Sequence, residues 1–325
     1  MALENTTIAN LVPSEKLLNG LVEMRVAESN EFRNAGLMVS SPLVNEVASG
    51  GPRKVSIPFL NPLATDEVNI GTDDLTQIGN SGKLTADEFA ALRHDLNYGW
   101  GASDLARMVT GYDAMSGITA GIAGYWTAIE KQIAVSTLTG LMDVDTDLVF
   151  DAAKAETFSV DHVIDAALAK GENDKMLTTL VVHPRVRAQL QKAEGNQFIP
   201  ASKTDIGFDT YAGYKLIYSN AMTVFQEGEE GEEVTYANSA LVGDGFFAYG
   251  LGSQPNPMEV ERVPGGGRGA GGERLWSRRS IVCHPQGFDY VGNVAPAISA
   301  LATASNWNLA IDADEVAVQF IVSKL

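Results

Sequence analysis

The sequence has little of what marks secreted, membrane or nucleic-acid-binding proteins. One cysteine in 325 residues excludes a disulfide framework and predicts folding in a reducing compartment. The first ten residues are polar, with Glu4 as their one charge, and no run approaches the roughly 20 apolar residues of a membrane span. The chain has 23 Lys and Arg against 41 Asp and Glu. This net charge of −18 disfavours a nucleic-acid-binding protein, because binding to phosphates needs clustered Lys and Arg. We therefore expect a soluble intracellular protein.

Residues that commonly carry chemistry are few and scattered. The four histidines, at 94, 162, 183 and 284, lack the spacing of metal ligands. Cys283 adjoins His284 on a predicted strand, where neighbouring side chains point to opposite faces, so the two do not make a nucleophile and its base. The run 265–272 lacks the Gly-Lys-Ser/Thr ending and the following helix of a phosphate-binding loop, and it predicts a mobile loop. We expect no enzyme activity, no catalytic, cofactor-binding or metal-binding residues, and no cofactor.

What the sequence does have is 45% hydrophobic residues, enough for a core of one to three domains. Residues 15–34 predict an amphipathic helix that packs either on its own core or on a neighbour. Its apolar stripe is Leu17, Leu18, Leu21, Val22 and Met24.

A strand and a polar loop are predicted next. After a Gly-Gly-Pro break, apolar and polar residues alternate over 53–60, which predicts a strand. Residues 61–84 are too polar to be core, and they predict a protruding hairpin that needs another subunit to lie on.

Residues 85–100 carry two competing signals. Thr85 and Glu88 match a capping box, which allows a short helix. From Leu92 to Trp100, however, apolar or aromatic residues alternate with polar residues or glycine. This period of two favours a strand from about Leu92 onward.

A long helix is predicted over about 113–140. Apolar residues recur at helical spacing from Ile118 to Ile133, no proline interrupts them, and Asp113 can cap the first turn. Glycines at 117, 121 and 124 would weaken an isolated helix by up to ~1 kcal/mol each relative to alanine. Either a neighbour passes close over these small residues, or the first turns of the helix are loose.

The next hundred residues alternate between helices and strands. Ser159 can cap a helix over 160–170, whose inward-facing residues are predicted to be Val163, Ile164, Ala167 and Leu168. A buried strand over 177–182, a His-Pro turn and a helix over 185–193 come next, and strands follow near 214–219 and 240–250. The acidic run 227–233 predicts a solvated hairpin tip rather than a cation site, because glutamates on a flexible loop bind metals weakly.

The last seventy residues contain an ordered set of landmarks. These are a strand over 258–263, the Gly-rich loop, a long strand over 273–284, the turn His-Pro-Gln-Gly-Phe-Asp over 284–289, a short helix over 296–305, Asn306-Trp307, and a last strand over 315–325. In this order they resemble the C-terminal part of the major capsid proteins of tailed bacteriophages. The long helix, with its aromatic pair Tyr125-Trp126, resembles the spine helix of the same family.

The resemblance implies an α+β fold of the Hong Kong 97-like type. Its parts are an N-terminal arm (1–50), an extended β-hairpin loop (51–90), a peripheral domain (91–145 and 255–310) with the spine helix at about 113–140, and an axial domain (146–254 and 311–325) with a central β-sheet flanked by helices. On the long strand, Arg274, Arg278 and Arg279 can face DNA or an acidic neighbour. In so acidic a chain we expect them to form ion pairs with a neighbouring subunit.

The function that the resemblance implies is structural. Copies would self-assemble into pentamers and hexamers that form the icosahedral or prolate head around phage double-stranded DNA. This places the protein in the virion, assembled in the host bacterial cytoplasm. The implied partners are a separate scaffolding protein, a portal protein, optionally a decoration protein, and DNA by proximity without sequence-specific binding, with no membrane. The alternatives are an encapsulin-type cellular nanocompartment shell and, disfavoured by the scattered chemistry, a soluble α/β enzyme.

Overall fold

The computed structural model shows an α+β chain built on two large β-sheets. It describes residues 22, 24–26, 29–61, 68–73, 76–111, 114–151, 157–193, 198–201, 208–227 and 233–325. The helices are α1 (Glu31–Asn34), α2 (Pro42–Ser49), α3 (Asp104–Thr110), α4 (Ala114–Leu141), α5 (Val160–Leu168), α6 (Pro184–Ala193) and α7 (Gly266–Gly269). The strands are β1 (Met38–Ser40), β2 (Lys54–Leu60), β3 (Ala86–Ser103), β4 (Val149–Phe150), β5 (Leu177–Val182), β6 (Phe198–Ile199), β7 (Thr210–Tyr211), β8 (Tyr214–Tyr218), β9 (Val224–Glu227), β10 (Val234–Gly243), β11 (Phe247–Gly252), β12 (Met258–Arg262), β13 (Gly272–Pro285), β14 (Phe288–Tyr290), β15 (Trp307–Leu309) and β16 (Val318–Lys324).

The first sheet is built around the long antiparallel pair β3 and β13. Its order is β1-β11-β13-β3-β2, and β12 also pairs with β13. The predicted long strand over 273–284 is confirmed as β13. The strand predicted from Leu92 starts earlier, at Ala86, and the short helix allowed by Thr85 is wrong. The reason is non-local, because residues 86–92 pair with β2, from Leu60 opposite Ala86 to Lys54 opposite Leu92.

The predicted spine helix is α4, which lies across one face of this sheet. Its 28 residues span roughly 42 Å at 1.5 Å per residue. Trp126 is buried, and its indole Nε1 donates a hydrogen bond of 2.9 Å to Ser277 Oγ on β13. Ile122 and Ile133 are also buried, which confirms the apolar face expected from the spacing. Asp113, the predicted cap, lies outside the described residues.

The described residues before position 50 pack on their own chain. Residues 22, 24–26 and 29 are helical, and Val22 and Val26 are buried with Ile122 and Trp126 of the spine helix. Met24, predicted on the apolar stripe, is 57% exposed. Leu17, Leu18 and Leu21 lie outside the described residues. Further along, β1 joins the first sheet beside β11, and α2 covers the face of that sheet opposite the spine helix.

The second sheet has eight strands in the order β4-β16-β10-β5-β8-β7-β6, with β9 paired to β10. Helices α5 and α6 cover one face, where Val163 and Val186 are buried with Leu180 and Leu241. The other face packs in the same apolar cluster as the second half of the spine helix. The predicted strands over 177–182 and 240–250 are confirmed as β5 and as parts of β10 and β11.

Two side chains of α5 differ from the prediction. Ile164 and Leu168 were expected to face inward, but they are 46% and 59% exposed. His162 and Ala166 are buried instead, because the sheet lies on their side of the helix. The helix ends at Leu168, two residues short of the predicted end.

The connection after β14 also differs from the prediction, because it forms 3₁₀ turns and not an α-helix. The short helix predicted over 296–305 is a pair of 3₁₀ turns, Ile298–Ala302 and Ala304–Asn306. Trp307 Nε1 donates to the carbonyl of Leu301 at 2.8 Å, which holds the first turn against the following strand. The final strand, predicted over 315–325, is β16 and lies between β4 and β10. No described helix is long and apolar enough to cross a membrane.

Candidate functional site

Cys283 and His284 are neighbours on β13, whereas His94 lies on β3, His162 on α5 and His183 between β5 and α6. His183 Nδ1 accepts a hydrogen bond of 3.1 Å from the Arg185 backbone, and His162 Nδ1 accepts one of 3.2 Å from the Ser159 backbone. Burial lowers the pKa of His94 and of His284 to about 4, and burial raises the pKa of the Cys283 thiol. In the part of the chain that the structure describes, no three His, Cys, Asp or Glu side chains are grouped to hold a metal ion.

The three arginines of β13 pair within their own chain. Arg274 lies 3.8 Å from Glu261, and Arg278 lies 2.9 Å from Glu259, both on the neighbouring strand β12. Arg279 lies 2.9 Å from Glu130 on the spine helix. Ion pairs with a neighbouring subunit stay a prediction; within the chain, the register of β12 against β13 supplies acidic partners for Arg274 and Arg278.

Glu130 is the centre of a buried polar cluster that joins four segments. Its carboxylate accepts hydrogen bonds from Asn30 Nδ2 at 2.8 Å, Arg33 Nη2 at 3.1 Å, Tyr249 Oη at 2.9 Å and Arg279 Nη1 at 2.9 Å. The Glu130 side chain is fully buried, and the side chains of Arg33 and Arg279 are 18% and 3% exposed. The cluster thus fixes the segment around α1, the spine helix, β11 and β13 to one another.

Aromatic rings complete the surroundings of these charges. The Arg33 guanidinium carbon lies 4.0 Å from the centroid of the Tyr249 ring, and that of Arg279 lies 5.5 Å from the Trp126 ring. Burial, helped by the charge of Glu130, raises the pKa of Tyr249, so its hydroxyl stays protonated and donates. Sequence reasoning missed this cluster. The available signal was a charged residue at 130 on the buried face of the helix, four residues after Trp126.

The extended loop projects beyond the strands that carry it. The hairpin consists of β2 and β3, and beyond their ends Asn61 N donates to Thr85 O at 3.0 Å. No strand occurs in the described residues of the loop itself, which are 61, 68–73 and 76–85. Asn69 links the two sides of the loop, because its side chain donates to Asn80 O at 2.6 Å and accepts from Asn80 N at 2.9 Å. Exposed apolar residues stand on this loop: Val68 at 85%, Ile70 at 92% and Ile78 at 93%.

A cavity of about 390 Å³ lies at the end of β5 in the second sheet. Its lining residues are His183, Arg185, Val224, Phe225, Gln226 and Thr235. A second cavity, of about 320 Å³, opens between the end of β11 and the start of β12. Neither lining brings together a nucleophile, a base and an orienting acid.

Comparison with known proteins gives relatives and solved structures. No protein-family model matches the chain. A curated protein of Bacillus phage SPP1, named major capsid protein, is 26% identical over 324 residues and covers 96% of both chains. The capsid of Ralstonia phage GP4 is similar in structure, with a TM-score of 0.62 and 10% identity over 92% of this chain and 90% of that chain. The Cyanophage Pam1 capsid has a TM-score of 0.55 and 9% identity over 88% of each chain.

The solved structures show the fold, and the SPP1 relative extends the likeness along almost the whole sequence. The α+β architecture is the predicted Hong Kong 97-like coat-protein fold. The phage capsid is favoured over the encapsulin alternative, and a structural role over an enzymatic one. The comparisons therefore support the prediction from the sequence: this chain has the fold of phage capsid proteins and is similar along nearly its whole length to a phage major capsid protein.

Proposed function

We propose that copies of this chain assemble into pentamers and hexamers that form the icosahedral or prolate head around phage double-stranded DNA. The observation that carries the proposal is the coat-protein fold over nearly the whole chain, together with the full-length likeness to a phage major capsid protein. Many modest contacts suffice for a stable shell, because each copy binds several neighbours at once.

The proposed division of the chain agrees with the two sheets except at β11, which falls in the axial range but pairs with β13 in the first sheet. The peripheral domain comprises 91–145 and 255–310, the axial domain 146–254 and 311–325, the arm 1–50 and the extended loop 51–90. The first sheet supports this division, because β13 pairs with β3 across it, and the second sheet contains β5, β10 and β16. In the described part of the arm, Val22 and Val26 pack on the spine helix, while β1 and α2 pack on the first sheet, so its proposed reach to a neighbour rests on the residues before position 22.

The extended loop supplies the clearest surface for a neighbouring copy. Val68, Ile70 and Ile78 are almost fully exposed on a segment that lacks a core of its own. These exposed apolar side chains are the proposed contact with a neighbouring copy. Burying each one against another copy stabilises the contact by about 2 kcal/mol.

The other proposed partners are a scaffolding protein, a portal protein and, optionally, a decoration protein. The mature location is the virion, after assembly in the host bacterial cytoplasm. The net charge of −18 supports a wall that encloses DNA without gripping it, because phosphate binding needs clustered Lys and Arg.

Co-expression of the full chain with its scaffolding protein, followed by negative-stain microscopy, tests this proposal. We expect closed shells of uniform size. Ile78→Asp should keep the fold and strongly reduce shell yield, whereas Ser81→Asp, an exposed polar position on the same loop, should leave the yield near that of the parent. A parent chain that stays monomeric beside its scaffold would overturn the proposal.

A further inference from the structure

The buried cluster around Glu130 holds more positive than negative charge. Two guanidinium groups, those of Arg33 and Arg279, bond to its single carboxylate, and both bond to the same oxygen, Oε1. The other two donors, Asn30 and Tyr249, are neutral, because burial raises the pKa of the Tyr249 hydroxyl. Among the described residues, the cluster therefore has one excess positive charge.

The acidic residues that lie nearby on the described elements already have partners of their own. Glu31 of α1 pairs with Lys131 at 3.0 Å. Glu259 of β12 pairs at 2.9 Å with Arg278, whose side chain lies on the face of β13 opposite the cluster. A buried charge without a counter-charge is costly, because water no longer solvates it. The excess positive charge therefore favours one more anion at the cluster.

Two N–H groups of the cluster also lack an acceptor. Arg33 Nε and Arg279 Nη2 are buried, and neither has a hydrogen-bond partner among the described residues. Leaving a buried donor without an acceptor costs more than an ordinary hydrogen bond contributes. The two guanidinium groups also repel each other, because they share one carboxylate oxygen and therefore lie close together. An anion supplies both an acceptor and a negative charge, whereas a water molecule supplies only the acceptor.

Arg279 belongs both to this cluster and to the cavity of about 320 Å³ between the end of β11 and the start of β12. The described residues that line this cavity include the polar Ser253 and Gln254 but no Asp or Glu. One water molecule occupies ~30 Å³ of liquid, so the cavity has room for a small ion with part of its hydration shell. The cavity therefore offers an anion a route from solvent to Arg279.

We propose that the Glu130 cluster binds one small monovalent anion, such as chloride, with Arg279 Nη2 as a donor and the cavity as the route from solvent. A single negative charge balances the single excess positive charge. The cluster joins the segment around α1, the spine helix, β11 and β13, so the anion binds the folded chain and not the unfolded one. The inference is independent of the proposed assembly.

Thermal unfolding of the unassembled chain tests the proposal, in sodium chloride and in sodium gluconate of equal ionic strength. Each tenfold rise in chloride above its Kd should raise Tm by about 2 °C relative to gluconate. Arg279→Gln removes both the excess charge and the donor, so the response to chloride should vanish. Arg278→Gln is the matched control, because Arg278 lines the same cavity but already pairs with Glu259, and it should keep the full response.

Glu130→Gln should change the response in the opposite direction. This variant leaves two arginines without a carboxylate, so it should unfold at a lower temperature than the parent and yet gain more from chloride. Bromide can replace chloride in crystals of the unassembled chain, and we expect its anomalous peak beside Arg279 Nη2. Equal Tm values in chloride and gluconate for the parent would overturn the proposal. A response that Arg278→Gln abolishes and Arg279→Gln keeps would overturn it as well.

Discussion

The two halves of the spine helix lie in different surroundings. From Glu130 to Leu141 most residues are buried, and a Cβ on Gly140 would lie 2.1 Å from the carbonyl oxygen of Leu301. In the first half, Gly121 and Gly124 are exposed, and a Cβ on either would meet nothing within 4 Å. The second half is thus a core element between two sheets, while the first half covers one sheet and leaves an outer face for other copies.

Removing the carboxylate of Glu130, which lies where the two halves of the spine helix meet, should have the largest effect on stability. Glu130→Ala leaves the buried Arg279 and the partly buried Arg33 without their shared partner, so we expect a loss of about 3–5 kcal/mol in the free energy of unfolding. Urea denaturation of the unassembled chain measures it. Glu46→Ala, at an exposed glutamate of α2, should stay within about 0.5 kcal/mol of the parent. Equal effects of the two variants would show that the cluster adds no stability.

Acid should destabilise the buried region around the second half of the helix. His94 and His284 have pKa values of about 4 when folded, against 6.5 when unfolded, so the unfolded chain binds more protons between these pH values. Stability is therefore lost as pH falls from 6.5 to 4, by roughly 3 kcal/mol per histidine. Denaturation at several pH values should show it, and His284→Gln should flatten the slope. An unchanged slope in that variant would contradict the assignment.

Two glycine substitutions compare the halves on the same helix. Gly140→Ala should destabilise the chain by roughly 1–3 kcal/mol or more, because its new methyl group meets the backbone of Leu301. Thermal unfolding of the unassembled chain gives the difference. A loss below the precision of that measurement would mean that the 3₁₀ turn yields and that this end is less tightly packed than its burial indicates.

The smallest expected effect on stability is in the first half of the spine helix, whose outer face is exposed. Gly124→Ala should stabilise the unassembled chain by up to ~1 kcal/mol, because alanine favours the helix and the site has room. The same variant reports on assembly: if another copy passes close over this face, shell yield should fall although the chain itself is more stable. Destabilisation of the unassembled chain would mean that the open face is covered from within.

Local patterns predicted the elements that depend on neighbours in sequence. The spine helix follows from apolar spacing that ends near Leu141, β5 from a short apolar run, and β13 from strand-like runs of arginines and apolar residues. The start of β3 at Ala86 did not follow, because pairing with β2 decides it, and that pairing is invisible in a local window. The family resemblance rested on the order of the landmarks in the last seventy residues, and the structure has its elements in the same order.

Contacts between distant segments account for what sequence reasoning missed. Arg278 faces Glu259 only because β12 folds back on β13 in one register. The exposure of Ile164 and Leu168 depends on which side of α5 the sheet occupies, and their spacing alone fits a helix buried on either side. The Glu130 cluster draws partners from 100 residues before it and 149 residues after it, so no local motif marks it.

The parallel pairing of β1 with β11 has a consequence for synthesis. Met38 lies opposite Phe247, which leaves the ribosome more than two hundred positions later. The segment around α1 also depends on Tyr249 and Arg279 to complete the bonds of Glu130. A nascent chain therefore cannot close its first sheet until most of the polypeptide has emerged. Copies still being translated therefore lack the finished first sheet and the completed Glu130 cluster.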